Sequence, residues 1–157
     1  MSSSRVALPA MALLAFCFAF AVRAADMPSP LQAAEMKWGP APPVLPTGAQ
    51  MVVLAGDPGS NGLITLRLKL PPNYVIPPHW HPTDEHVTVI SGSLALGMGD
   101  SVDRRSSKLL KTGGYGVAPA NMHHFAWTKS GAIVQVNLIG PFAITYVNAA
   151  DDPSHRK

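Results

Sequence analysis

A disulfide within the chain is out of reach for this sequence of 157 residues, because it holds a single cysteine, Cys17. Charge is sparse too: Asp, Glu, Lys and Arg make up 13% of the chain, and aromatic residues 7%. Twelve Lys and Arg face nine Asp and Glu, with no basic run, so there is no case for nucleic acid or an anionic surface as partner. No segment beyond residue 24 carries the spacing of an amphipathic helix, which excludes a helical bundle. No repeat of 20–50 residues is visible, which excludes a solenoid. What the sequence has in quantity is turn-formers, with 16 prolines and 13 glycines.

Its one long apolar run lies at the start. Met1–Arg5 is short and basic, Val6–Val22 is almost wholly apolar, and Val22-Arg23-Ala24 suits a cleavage site before Ala25. The run is short for a bilayer span, which needs roughly 20 residues, and Pro9 interrupts it. Residues 1–24 are therefore expected to be a cleaved signal peptide rather than an anchor. The mature protein would then be periplasmic or secreted, with no stable membrane association. Cleavage would remove Cys17 and also Arg5 and Arg23, leaving ten basic against nine acidic residues, a net charge of +1. The remaining ~133 residues would bury about two-thirds of their unfolded surface, enough for one core.

Residues 25–48 carry six prolines and read as an irregular arm, with Met36 and Trp38 as apolar handles. The arm could pack over its own domain or lie on a second subunit. Residues 49–150 read as the folded domain and residues 151–157 as a polar, mobile tail. Within the domain, Leu63–Leu70 alternates, with Ile64, Leu66, Leu68 and Leu70 on one face. Further strands are expected over 50–55, 85–91, 94–98, 109–110, 132–139 and 142–147, with Gly92-Ser93 as a tight turn between two of them. Short strands separated by Gly/Pro turns every 8–12 residues indicate an all-β sandwich or barrel.

Chemistry concentrates in Pro77–Gly92. His79 and His81 are two apart, so on an extended strand they share a side. Pro82 favours a turn, and Glu85 opens the next strand. Two imidazoles and a carboxylate suit a divalent transition metal, and a third imidazole could come from His123 or His124. Those two are adjacent and face opposite ways in extended chain, so only one is expected to join. By the same alternation His86 points away from Glu85, and Trp80 away from the two histidines. The bland alternative is a set of buried, hydrogen-bonded side chains without an ion. It is disfavoured because four such groups are costly to bury together.

The block His79-x-His81-x3-Glu85-x6-Gly92 resembles the first motif of the cupins. The glycine usual ahead of the first histidine is replaced by Asn73. The second motif is echoed by Gly113, Pro119 and His124, with Asn121 where a glycine and Thr128 where an asparagine is usual. The resemblance covers roughly residues 60–130. It implies a jelly-roll β-barrel holding one divalent ion (Fe, Mn, Zn, Cu or Ni) on His79, His81, Glu85 and His124.

Cupins include dioxygenases, isomerases, lyases and non-catalytic binders, so the fold does not select a reaction. The expected function is an exported metal-dependent enzyme on a small oxygen-bearing molecule, a dioxygenase-like oxidoreductase, an isomerase or a lyase. The alternative is a non-catalytic module that binds a small ligand or the metal. Tyr74, Val87, Val89, Met98, Tyr115, Phe125 and Ala126 are the expected pocket lining. A homodimer is favoured over a monomer, because an open sheet edge needs cover.

Overall fold

A computed structural model describes residues 30–155; the expected signal peptide lies outside them. Ten strands follow in chain order: β1 Gly39–Pro40, β2 Gln50–Ala55, β3 Leu63–Leu70, β4 Val75–Trp80, β5 Glu85–Met98, β6 Lys108–Lys111, β7 Tyr115–Ala118, β8 His124–Trp127, β9 Ala132–Ile139 and β10 Thr145–Tyr146. Apart from three single-turn 3-10 segments, all regular structure among the described residues is strand. None of the helical turns described there is long and apolar enough to cross a membrane.

All pairings are antiparallel. One layer runs β1-β2-β3-β9-β5, with β7 also on β5; the other runs β5-β8-β4-β10, with β6 on β5. The two layers curl into the jelly-roll barrel that the turn spacing and motifs led one to expect. The core lies between them. Ile64, Leu66, Leu68 and Leu70 are all buried in it, and they meet Val134, Val136 and Leu138 from β9. Their alternation is the cause: period two on a strand sends every second side chain inward.

The expected turn at Gly92-Ser93 is not there. β5 runs unbroken for 14 residues and belongs to both layers. Its first half pairs with β9 and β7, its second half with β6 and β8. The changeover falls at a register shift between Val89 and Ser91, followed by Gly92 at φ 75°. A Cβ on Gly92 would sit 2.3 Å from the Gly131 carbonyl oxygen, so the strand bends there only because the side chain is missing.

The arm lies over its own barrel, one of the two arrangements its apolar residues allowed. β1 pairs with β2, and Arg67 reaches Met36 Sδ at 3.6 Å. Two tyrosine hydroxyls tether the following stretch, Tyr74 donating to the Pro46 carbonyl and Tyr146 to the Val44 carbonyl at 2.7 Å. The strand expected over 142–147 shrinks to Thr145–Tyr146, after a cis Gly140–Pro141 bond. The tail is more structured than its polarity suggests: Ala149–Asp151 and Pro153–His155 form 3-10 turns, with Asn148 Oδ1 and Asp152 Oδ1 accepting from Ala150 and Ser154 backbone N–H.

Candidate metal centre

β4 and β8 are neighbours, and their register sets His79 directly opposite His124. On the other side of β4, Tyr146 stands opposite His79. β8 also pairs with the end of β5, so three elements frame the pair. His81 follows just past β4 on the same side as His79, as the two-residue spacing required. All three imidazoles are buried, and their ligand nitrogens lie within 4.8 Å of one another. Three histidines so placed could hold a metal ion.

The ring orientations are fixed from behind. Nδ1 lies 2.7 Å from the Pro77 carbonyl in His79, 2.6 Å from that of Ala143 in His81, and 2.9 Å from that of Met122 in His124. A carbonyl only accepts, so each Nδ1 must carry a proton, and in the neutral ring it is Nε2 that offers the lone pair. This is the arrangement by which outer partners aim a ligating imidazole. Nε2 of His81 and of His124 are buried without any hydrogen-bond partner. An orphaned buried polar atom costs about 1–3 kcal/mol, so two of them side by side call for a shared electrophile.

Glu85 enters from the first residue of β5. Its Oε2 lies 3.6 Å from His81 Nε2 and 3.5 Å from His124 Nε2. Two donors about 2.1 Å from one ion stand about 3.0 Å apart at a right angle and about 3.4 Å apart at the tetrahedral angle. The observed separations are too long for direct hydrogen bonds and close to those values. Three imidazoles could thus hold a metal ion, with the Glu85 carboxylate beside two of them.

Electrostatics follow from crowding. Burial, reinforced by the neighbouring His124 and His81, pushes His79 down to about 3, so it stays neutral at any ordinary pH. Burial also works to lower His81, but the Glu85 carboxylate and the Ala143 carbonyl more than offset it and raise that pKa. Burial alone would raise Glu85, yet the imidazoles of His124 and His81 outweigh it and hold the carboxyl below its usual range. The site thus holds the Glu85 carboxylate near the neutral imidazole of His79, the forms in which these two groups can ligate a cation.

The two motifs are also tied through the backbone. Asn121 takes φ 60°, the left-handed conformation a glycine would adopt, and its N–H donates to the His81 carbonyl at 2.8 Å. Ala120 N–H donates to Asp84 Oδ1 at 2.7 Å. These bonds deliver His124 to His81. The two neighbours differ in direction: His123 turns outward, with Nδ1 2.6 Å from Asp100 Oδ1, while His124 is buried and groups with His79 and His81. His86 is also turned away, paired with the Tyr115 hydroxyl at 2.6 Å, and Trp80 is only half-buried. Thr128 is buried in place of the asparagine usual there.

Behind the histidines is a cavity of about 30 Å³. Of the expected lining only Val87 and Ala126 border it. Tyr74 and Val89 are core residues that do not reach it. Met98 and Tyr115 are exposed, and Phe125 is buried against Gly97. The walls that sequence proximity missed are Leu68, Leu70, Ile76, Leu94, Leu96, Val134 and Val136. The inward positions of the alternating strand Leu63–Leu70 were the available signal for two of them.

The chain is similar to known proteins in sequence and in fold. Germin-like protein 3-1 of Oryza sativa subsp. japonica is 38% identical over 89 residues, which are 55% of this chain and 40% of that protein. The chain thus spans about two-fifths of that relative's length. Among solved structures, the polyketide cyclase RemF of Streptomyces resistomycificus superposes with a TM-score of 0.67 at 18% identity, over 82% of this chain and 91% of its own. A putative acetylacetone dioxygenase of Methylibium petroleiphilum PM1 gives 0.61 at 17%, over 84% and 89%. At such identities the likeness is one of fold. Residues 29–142 match the ChrR Cupin-like domain, well over half of the chain, and the chain belongs to that cupin family.

Proposed function

We propose that this cupin binds one divalent transition-metal ion through His79, His81, Glu85 and His124, and uses it as an enzyme of dioxygenase type on a small oxygen-bearing molecule. The observation that carries the metal reading is the pair of buried Nε2 atoms without partners, on rings whose Nδ1 protons are committed to carbonyls. A bound ion there would supply Lewis acidity and open positions for substrate. The chain's own contribution is to aim three imidazole nitrogens, keep one carboxylate charged and exclude bulk water. The enzymatic part is supported by fold neighbours that include a cyclase and a putative dioxygenase. The second reading, a non-catalytic binder, is favoured by the small volume of the cavity.

We also infer export through the apolar leader, and a homodimer that covers the outer edges of β6 and β7, each of which pairs only with β5 among the described strands. Elemental analysis of the purified protein tests the core of this reading and should find close to one transition metal per chain. Oxygen uptake across a panel of small oxyacids, diketones and phenols separates the two functions. Tight substrate-induced spectral change without oxygen uptake or product would leave the binder. Fractionation of cells carrying the full chain, and sedimentation of the purified protein, test export and dimerisation.

A further inference from the structure

The cavity behind the metal centre is built for something other than an organic substrate. Its volume is about 30 Å³, room for one or two molecules the size of water. Of the eleven residues around it, nine are apolar, among them Leu68, Ile76, Leu94 and Val136. The only polar walls are His79 and Glu85, both on the side of the candidate ligands. A water held stably in such a space wants two to four polar partners, and only His79 and Glu85, at one end, could give any, whereas small apolar voids accept apolar guests. Nor is the space readily closed by the core. Val136 and Leu94 are fixed by strand pairing in two different layers, so neither can move inward without breaking register.

We propose that this chamber is a binding site for a small apolar gas, dioxygen in class, held on the core side of the metal centre against His79 and Glu85. This rests on the proposed metal reading for its use, but not for its existence, since nine of the eleven walls are apolar core side chains.

Xenon is the probe, because it is apolar, of suitable size and visible in diffraction. Crystals of the full chain, pressurised with xenon, should show one site among Leu94, Val134 and Val136, with or without metal. Val136→Phe should abolish that site while leaving metal content unchanged. If Val136→Phe does not fold, Val136→Ile should lower xenon occupancy at least twofold. An ordered water filling the chamber at ambient pressure, or xenon absent from it, would overturn the proposal. The two readings fail separately. Metal without xenon removes the chamber and keeps the metal centre; xenon without metal does the reverse.

Discussion

At the scale of single residues, the decisive property is direction. His123 and His124 have the same chemistry and adjacent positions, yet one meets Asp100 near the surface and the other Glu85 in the interior. His79→Ala should therefore cut bound metal from about one ion per chain to below a tenth, by elemental analysis, with far-ultraviolet circular dichroism unchanged. His123→Ala should leave metal content within error. Glu85→Gln keeps the shape but removes the charge, and should weaken metal affinity by at least about 10-fold, the scale at which even outer partners of a ligand act. A titration with a competing chelator would read it. The two-residue spacing of His79 and His81 made their shared side legible, because strand alternation is local. The cavity walls were not legible in the same way. Leu94 and Val134 meet there through cross-layer packing, and nothing near either in sequence encodes the other.

At the scale of elements, two features carry consequences. Gly92 lets β5 pass from one layer to the other with φ 75° and a backbone oxygen where a Cβ would be. Gly92→Ala should destabilise the fold by about 2 kcal/mol or more, read by denaturant unfolding, since both left-handed strain and a clash with immobile backbone result. The glycine was visible in the sequence as a punctuator, but a hairpin turn and a strand bend leave the same local mark. Pairing partners, which lie 40 residues away at Ala132, decide between them. The second feature is the tyrosine pair that ties down the arm. Burial raises the pKa of both Tyr74 and Tyr146, with Tyr146 itself adding to the rise at Tyr74, and Asp152 and Asp151 adding to it at Tyr146. A folded pKa above the unfolded value of 10 means that their stabilising share is complete below pH 10 and declines as pH rises beyond it. The melting temperature should fall from pH 10 upward, while the two buried phenols of the folded protein are still protonated, and Tyr146→Phe should make that decline shallower. The arm's prolines announced an irregular segment, but not the carbonyls of Val44 and Pro46 as its anchor points.

At the scale of the whole molecule, a metal that binds only the folded state stabilises it by mass action, about 2.7 kcal/mol at a hundred times Kd. For a domain of this size that corresponds to a rise in Tm on the order of 10 °C. Scanning calorimetry with and without chelator should show it, and should show no difference for His79→Ala. The barrel class was legible from turn spacing and alternation, since both are repeated along most of the chain. A consequence also follows from β5 being shared by both layers. Glu85 stands at its start and Met98, at its end, opposite His124, so one continuous strand measures the span between two sides of the site. The layers cannot swing apart like the covers of a book while that spine is intact. Traffic to the ion would have to rely on side chains turning at the rim, and crystals should admit small solutes without any change in cell dimensions.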